Sequence, residues 1–303
     1  MPALEGGCLA AALHHAAVTH MATDEALVAQ KQPDILSMHM EFLRFSELCE
    51  SVITVTPLRT GSAACTLQLQ LSQKDKIRII ALATTTNFDV SLGPSAPTDW
   101  SLLPRPNPIP DFDLVEAHQS EPNWIPAILA GEVFTFSHRI LSVIPRLGNP
   151  FAGVCDAWNR FMGDERVDAT YLAFLADFIP SMSDTLLRNN GLYDLHEYHR
   201  RTAAWAEENP GKPAPLTNSI AEAFKATTFN NTVTLDIEFK KRLPKEGLRW
   251  VFTRTATKMM QNGRMGVDIT ICDENMELAC EAHQLILIQE IQRRGFKKKP
   301  SQL

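Results

Sequence analysis

Proline is concentrated in one stretch of this sequence, and that stretch limits how the rest of the chain can fold. Residues 93–125 contain seven of the 19 prolines. Proline lacks a backbone N–H and clashes with the preceding helical turn, so neither a helix interior nor a central strand persists through such a segment. The segment therefore predicts a linker between two parts, and 303 residues suffice for two domains of about 150 residues each.

A predicted helix followed by four predicted strands occurs on both sides of the linker. An alanine-rich helix begins at Gly6, and a second helix through Phe178 has Asp168 as its predicted N-cap. Runs rich in Val, Ile, Thr and aromatic residues predict the strands. They are residues 35–45, 51–57, 63–71 and 77–87 after the first helix, 132–143 and 149–162 before the second, and 232–241, 248–258, 265–272 and 278–290 after it. The repeated order predicts an α+β fold made of two helix-and-meander units.

The first strands of the two meanders also share a short sequence motif. Residues 36–44 and 233–241 both contain Glu-Phe with a basic residue within two positions. Alternating strands resemble one another by composition, so this similarity alone is modest evidence. It coincides with the repeated order of helix and strands, and duplication is the simplest explanation of both. We therefore expect one unit at 1–92, the linker at 93–125, and a second unit at 126–298.

Two features depart from a simple duplication. Only four residues precede the helix at Glu5 and Gly6, too few for an opening strand, so the first sheet is expected to have an open edge that a second copy of the chain could cover as a homodimer. Residues 189–231 form a long polar insertion with a predicted helix at 219–225. The insertion could be a lid, a partner surface or a loop.

Composition argues against several classes of function. The net charge of -6 gives no electrostatic reason to bind nucleic acid. The sequence has no apolar run of about 18 residues and no secretory signal, and its six cysteines form no CxxC pair, which predicts a cytoplasmic protein with reduced thiols and no membrane span. The ending Ser301-Gln302-Leu303 only loosely resembles a peroxisomal address, and a solvated tail is the simpler interpretation.

No motif predicts a metal or cofactor. His196-Glu197-Tyr198-His199 lacks the spacing of a zinc-protease motif, and no cysteine and histidine pairs stand at structural-zinc spacing. The GxSxG pattern of α/β-hydrolases is also missing from the sequence. We therefore expect neither a cofactor nor a covalent serine mechanism of that class.

Three segments resemble the type II acyl-CoA thioesterase-like family, with wording most similar to its fungal thioesterase-like branch. They are Glu5–Leu13, Leu36–Arg44 and Leu278–Leu285. The resemblance covers almost the whole chain except about residues 190–230. It implies a double hotdog fold, in which two central helices are each wrapped by a curved antiparallel β-sheet, and an acyl-CoA or acyl-carrier thioester as substrate.

The resemblance also implies site residues. The family's Asp, beside the second helix, matches Asp177; its Thr, at the start of the next strand, matches Thr232; and its Gln, in the last strand, matches Gln284. A carboxylate can deprotonate water for attack on a thioester, while Thr and Gln can fix the water and the oxyanion. His283 is the neighbouring alternative, but it alternates to the opposite face of a regular strand.

The sequence leaves three classes of function open. The leading one is thioester hydrolysis, with one active site per chain, because the first helix start has no acid beyond Glu5. The second is a non-hydrolytic hotdog protein that binds or reshapes a polyketide-like substrate in specialised metabolism. The third is a structural or interaction protein in which these residues are incidental.

Overall fold

The structure, a computed structural model, describes residues 5–131, 136–178, 195–218 and 228–290. Within these ranges the helices are α1 Gly6–Thr23, α2 Glu25–Val28, α3 Phe112–Glu116, α4 Ala169–Leu175 and α5 Leu195–Glu208, with a 3₁₀ turn at Ser137–Arg139. The strands are β1 Asp34–Phe42, β2 Val52–Arg59, β3 Thr66–Gln73, β4 Lys76–Thr86, β5 Trp124–Gly131, β6 Ile140–Pro145, β7 Val154–Phe161, β8 Ala214–Asn218, β9 Thr228–Phe239, β10 Val251–Gln261, β11 Arg264–Cys272 and β12 Leu278–Glu290. No described helix is long and apolar enough to cross a membrane.

All these strands belong to one open sheet. Its order is β2-β3-β4-β1-β9-β12-β11-β10-β7-β6-β5-β8, and every neighbouring pair is antiparallel except β5 and β8. The two halves of the chain meet where β1 pairs with β9, from Ser37 opposite Glu238 to Glu41 opposite Thr234. We call this β1–β9 contact the seam. Pairing across the seam satisfies backbone groups that each half alone would leave exposed at its sheet edge.

Alternation explains which face of the sheet is buried. In β3, Leu67, Leu69 and Leu71 are buried while the residues between them are more accessible, the pattern of a strand with one face on a core. The same periodicity of two places Leu235 and Ile237 of β9 inside. Inward side chains from both halves join one apolar core, so the halves pack on each other as well as pairing at the seam.

Helices α1 and α4 cross the inner side of the sheet together. His14 of α1 hydrogen-bonds through Nδ1 to Thr170 Oγ1 at 3.1 Å, and its ring lies 5.0 Å from that of Phe239. Burial lowers the pKa of His14 to about 4, so its ring is neutral at pH 7. The first turn of α1 packs tightly on the last turn of α4. A methyl group added at Gly7 would overlap the carbonyl oxygen of Phe174. The two helices therefore run antiparallel in close contact.

The proline-rich segment is docked on the second half of the chain. The ring of Phe112 in α3 stacks on Trp250 at a centroid distance of 4.8 Å, and Arg249 Nε donates to Glu116 Oε1 at 2.8 Å. Earlier in the segment, the carbonyl oxygen of Pro104 accepts a hydrogen bond from Arg254 Nη1 at 2.6 Å. The predicted linker is therefore held in place by specific contacts with the second half of the chain.

Three local expectations are corrected. Strand β5 begins at Trp124, where the sequence predicted no strand; that indole is fully buried and donates to the Pro108 carbonyl oxygen. Residues 149–153 are not a strand, since the backbone at Gly148 and Gly153 has positive φ; β7 starts at Val154. Residues 137–139 form the 3₁₀ turn, and the earlier part of the predicted strand 132–143 lies outside the described residues.

The insertion contributes regular structure. Strand β8 pairs in parallel with β5, Ala127 opposite Ala214, and α5 packs Ala206 against this edge. Residues 228–231, assigned to the insertion from sequence, belong to β9. The predicted helix at 219–225 and the four residues ahead of Glu5 lie outside the described residues. The insertion thus extends the sheet.

Candidate active site

Asp177 lies in the turn that ends α4. Asp168 caps the start of this helix, its side chain accepting from Tyr171 N at 2.9 Å, as its position in the sequence predicts. The helix ends at Leu175, and Asp177 N donates to the Phe174 carbonyl oxygen at 3.2 Å. The turn holds a partly buried carboxylate beside the inner face of the sheet.

Gln284 joins the other two predicted residues. Its side chain, only 4 % exposed, projects inward from β12. Its Nε2 donates to Asp177 Oδ1 and, at 3.0 Å, to Thr232 Oγ1. An ionised carboxylate can only accept hydrogen bonds, so the NH2 group of Gln284 rather than its carbonyl oxygen must face Asp177. Both amide hydrogens are used, and Thr232 keeps its hydroxyl hydrogen to donate.

Thr232 reaches this site because β9 contains a bulge. Thr234 pairs with Leu285 and Thr232 with Ile286, so Val233 is an extra residue in the ladder. Strict alternation back from Leu235 would place Val233 inward and Thr232 on the outer face. The bulge instead turns the Thr232 side chain to the inner face, where its hydroxyl meets Gln284. Thr232 is the fifth residue of a strand that begins at Thr228, whereas the resemblance implied the start of the strand.

The amino-terminal end of α1 closes the site from the first half of the chain. A Cβ atom at Gly6 would overlap Asp177 Oδ2, and the Phe42 ring lies 3.6 Å from that Cβ position. The side chain of Glu5 does not cap α1. The first-turn N–H groups and the positive end of the helix dipole therefore lie beside Asp177, where they favour negative charge.

The nearby thiol is not suited to act as a nucleophile. Burial, reinforced by the charges of Glu5 and Asp177, raises the pKa of Cys8 to about 12. A thiol with that pKa is almost wholly protonated at neutral pH, and only the thiolate attacks efficiently. Asp177 is therefore the better placed group to start a reaction.

The matching position in the first half lacks the polar side chains. Strand β1 bulges at Leu36, the residue that aligns with Val233, so the two strands share this irregularity. Following the alignment, Thr232 corresponds to Ile35, and Gln284 corresponds to Ala83, which pairs with Met38 as Gln284 pairs with Leu235. Ile35 and Ala83 are both buried and apolar. The described residues therefore bring one such triad together.

His283 is placed on the other face. Its ring is exposed, and Nδ1 lies 2.7 Å from Asp268 Oδ1 on β11. Of the two neighbours that sequence reasoning weighed, the structure brings Gln284 to Asp177. Among the described residues, no group of three or more His, Cys, Asp or Glu is arranged to hold a metal ion.

One open cavity lies apart from the triad. It has a volume of about 480 Å³ and includes Asp89, Arg242, Leu248 and Asp273 in its lining. It is beyond the end of β9 at Phe239, whereas Thr232 is near the start of that strand. None of the triad residues lines it.

Comparison with known proteins identifies the fold. A conserved protein with a hot dog fold from Alicyclobacillus acidocaldarius is 15% identical, with a TM-score of 0.64, 96% of this chain and 89% of that chain covered. Acyl-CoA thioesterase II TesB2 from Mycobacterium marinum is also 15% identical, with a TM-score of 0.56 and coverage of 93% and 91%. The fold is therefore of the hotdog class.

Two family models then define the chain more closely. The acyl-CoA thioesterase N-terminal domain matches residues 3–87, and the acyl-CoA thioesterase C-terminal domain matches residues 111–288. The chain belongs to the acyl-CoA thioesterase family. Among curated proteins, the thioesterase-like protein TwmA of Talaromyces wortmannii is 23% identical over 315 residues, covering 98% of this chain and 86% of that protein.

Proposed function

We propose that this protein hydrolyses an acyl-CoA or acyl-carrier thioester, with Asp177 as the general base that activates water. The observation that carries this proposal is the side chain of Gln284, which hydrogen-bonds to both Asp177 and Thr232. A carboxylate held by an amide that also binds a neighbouring hydroxyl group is suited to hold and deprotonate one water molecule.

The reaction needs no covalent intermediate. Asp177 takes a proton from water as the water oxygen attacks the carbonyl carbon of the thioester. The Thr232 hydroxyl and the first-turn N–H groups of α1 are available to donate to the water and to the oxyanion that forms. When the tetrahedral intermediate collapses, the C–S bond breaks and the proton held by Asp177 passes to the departing thiolate. The products are a carboxylic acid and a free thiol.

The division of the chain belongs to the same proposal. Residues 1–92 and 126–298 would be two fused hotdog units joined by 93–125, with α1 and α4 as their central helices. The shared bulges at Leu36 and Val233 support two copies of one unit. The triad lies in the second unit, and α1 of the first unit supplies the facing wall.

A thioester panel with a free-thiol readout tests the function. The purified chain should release thiol from at least one CoA or acyl-carrier thioester. Asp236→Asn is a matched control, since Asp236 lies on the outer face of β9 and pairs with His39, and this variant should keep full activity. Binding of a thioester without thiol release, in a chain with native circular dichroism, would instead support the non-hydrolytic alternative.

A further inference from the structure

Aromatic rings surround the end of α4 that carries Asp177. Phe136 lies 5.2 Å from Phe174 in an edge-to-face arrangement, and Phe178 lies 5.4 Å from Phe174 and 6.5 Å from Phe136, measured between ring centroids. We call Phe136, Phe174 and Phe178 the aromatic wall. Phe161 lies behind it, 6.4 Å from Phe174.

The hotdog scaffold does not itself require these rings. Helix α1, the counterpart of α4 in the first half, contains no Phe, Tyr or Trp and buries Leu9, Leu13 and Met21. The two halves share a meander of four antiparallel strands, β1–β4 and β9–β12, and a bulge in its first strand. The aromatic wall therefore accompanies the half that carries the triad.

Two rings of the aromatic wall are accessible in part. Phe174 is 6 % exposed, whereas Phe136 and Phe178 are only partly buried. Phe178 directly follows Asp177 in the chain. An acyl group whose carbonyl is held for attack by water on Asp177 would therefore start close to Phe178. The close packing of Gly7 on the Phe174 backbone limits space on the α1 side.

We infer that the acyl group of the substrate lies against Phe178 and Phe136, and that the site prefers acyl groups bearing an aromatic ring to saturated ones of the same carbon number. This inference rests on the proposed function and names the substrate class of the same site. Phe178 is the specificity-determining residue that it adds to the triad.

Ring geometry supports this choice. Aromatic pairs prefer offset or edge-to-face contacts with centroids about 4.5–7 Å apart and gain more than their buried area alone provides. A flexible alkyl chain buries apolar area on the same rings but lacks that additional attraction. One such contact corresponds to a preference of roughly 3- to 10-fold for an aromatic acyl group.

The first test compares 3-phenylpropanoyl and nonanoyl thioesters, which contain the same number of carbons and similar carbonyl groups. We expect the wild-type kcat/KM to be higher for the aromatic thioester, and the ratio of the two values to fall about 3- to 10-fold in Phe178→Leu. The matched control is Phe88→Leu, because Phe88 also packs partly buried on the core but follows β4 in the first half. Its ratio should equal that of wild type.

Folded Phe178→Leu with an unchanged ratio, or a wild-type ratio of one or less, would overturn the inference. If Phe178→Leu does not fold, Phe136→Leu provides the same comparison. A binding arm separates this result from failure of the proposed function: calorimetry with the non-hydrolysable thioethers S-(3-phenylpropyl)pantetheine and S-nonylpantetheine. If no thioester is cleaved, wild type that binds the aromatic thioether more tightly than the alkyl one still supports the aromatic site, provided that Phe178→Leu abolishes this difference in affinity. Equal affinity of wild type for the two thioethers rejects it.

Discussion

Gly6 of the first half and Asp177 of the second half touch so closely that a side chain on the glycine would overlap the carboxylate oxygen Oδ2. This contact joins the beginning of α1 to the end of α4. The first turn of α1 lies this close to Asp177 only because position 6 has no Cβ atom. The substrate site that we propose at the triad would therefore be shared by the two halves.

Gly6→Ala should therefore reduce thioester hydrolysis by about 100-fold, since displacement of a reacting group by roughly 1 Å can have that effect. The added methyl group must push Asp177 or α1 aside. Steady-state kinetics on the best thioester of the panel, with circular dichroism to confirm folding, measures the loss. Gly93→Ala is the matched control, because nothing lies within 4 Å of its Cβ position, and it should behave as wild type.

Asp177→Asn should lower kcat by about 100-fold or more, because the amide preserves shape but cannot accept the proton from water. The unfolding midpoint in urea should remain near that of wild type. Thr232→Val should cause a smaller loss, and Thr234→Val, on the outer face of the same strand, should cause none. A folded Asp177→Asn variant with wild-type kcat would remove Asp177 from the mechanism.

Gln284→Glu should move the acid limb of the pH-rate profile to higher pH. The exchange places a second carboxyl group against Asp177 in a buried position, and two carboxyl groups in one site cannot both ionise easily. A proton is then retained to higher pH, so activity at pH 7 falls and recovers as the pH rises. Gln284→Ala should lose activity without that displacement. Equal pH profiles for the two variants would contradict the proposed closeness of the carboxylates.

Sequence patterning predicts most of the sheet, while positions that depend on distant partners escape it. Strand β12 has the predicted bounds Leu278–Glu290, because a buried alternating strand carries its own signal. Strand β8, a short segment with Pro215, forms against β5 across the fold, and no local pattern specifies that partner. Strand β5 was missed for a similar reason, since its start at Trp124 depends on burial of the indole under the proline-rich segment.

The candidate triad shows the same division. Resemblance located Asp177, Thr232 and Gln284, but alternation counted back from Phe239 would have turned Thr232 outward. The bulge at Val233 corrects the register, and a bulge arises from pairing with β12 rather than from the local sequence. The sequence does not predict the aromatic wall, because Phe136 is about 40 residues from Phe174 and Phe178 and contacts them only in the folded chain.

Arg254→Met should destabilise the protein by about 3–5 kcal/mol, because it leaves a buried carboxylate without its partner. Arg254 Nε and Nη2 donate to the two oxygens of Asp156 at 2.6 and 2.7 Å, and the side chains are 3% and 1% exposed. Burial raises the pKa of Asp156 even with the arginine present. The loss should therefore shrink as the pH falls and Asp156 takes up a proton.

Urea unfolding at pH 5 and pH 7.5 measures this difference. The double variant Asp156→Leu with Arg254→Met removes both charges and should recover most of the lost stability, since apolar replacements of buried pairs are often neutral or stabilising. A double variant as unstable as the single one would show that the contact of Arg254 with the Pro104 carbonyl oxygen, rather than charge, dominates.

His39 should make the stability of the seam depend on pH. Its Nδ1 lies 2.5 Å from Asp236 Oδ1 across the β1–β9 pairing. The hydrogen bond to Asp236 raises the pKa of His39, aided by the charges of Asp236 and Glu41 and opposed by partial burial. A histidine with a raised folded-state pKa adds stability that is fully present below its unfolded pKa and is lost as the pH rises through its folded pKa.

The effect should be small, because the His39 side chain is 43% exposed and solvent screens the pair. We expect wild type to exceed His39→Gln in free energy of unfolding by up to about 0.5 kcal/mol at pH 5.5, with the difference declining by pH 8.5. His15→Gln, on the exposed side of α1, is the matched control for the same exchange. A difference between wild type and His39→Gln that stays constant from pH 5.5 to pH 8.5 would show that His39 does not titrate against Asp236 at the seam.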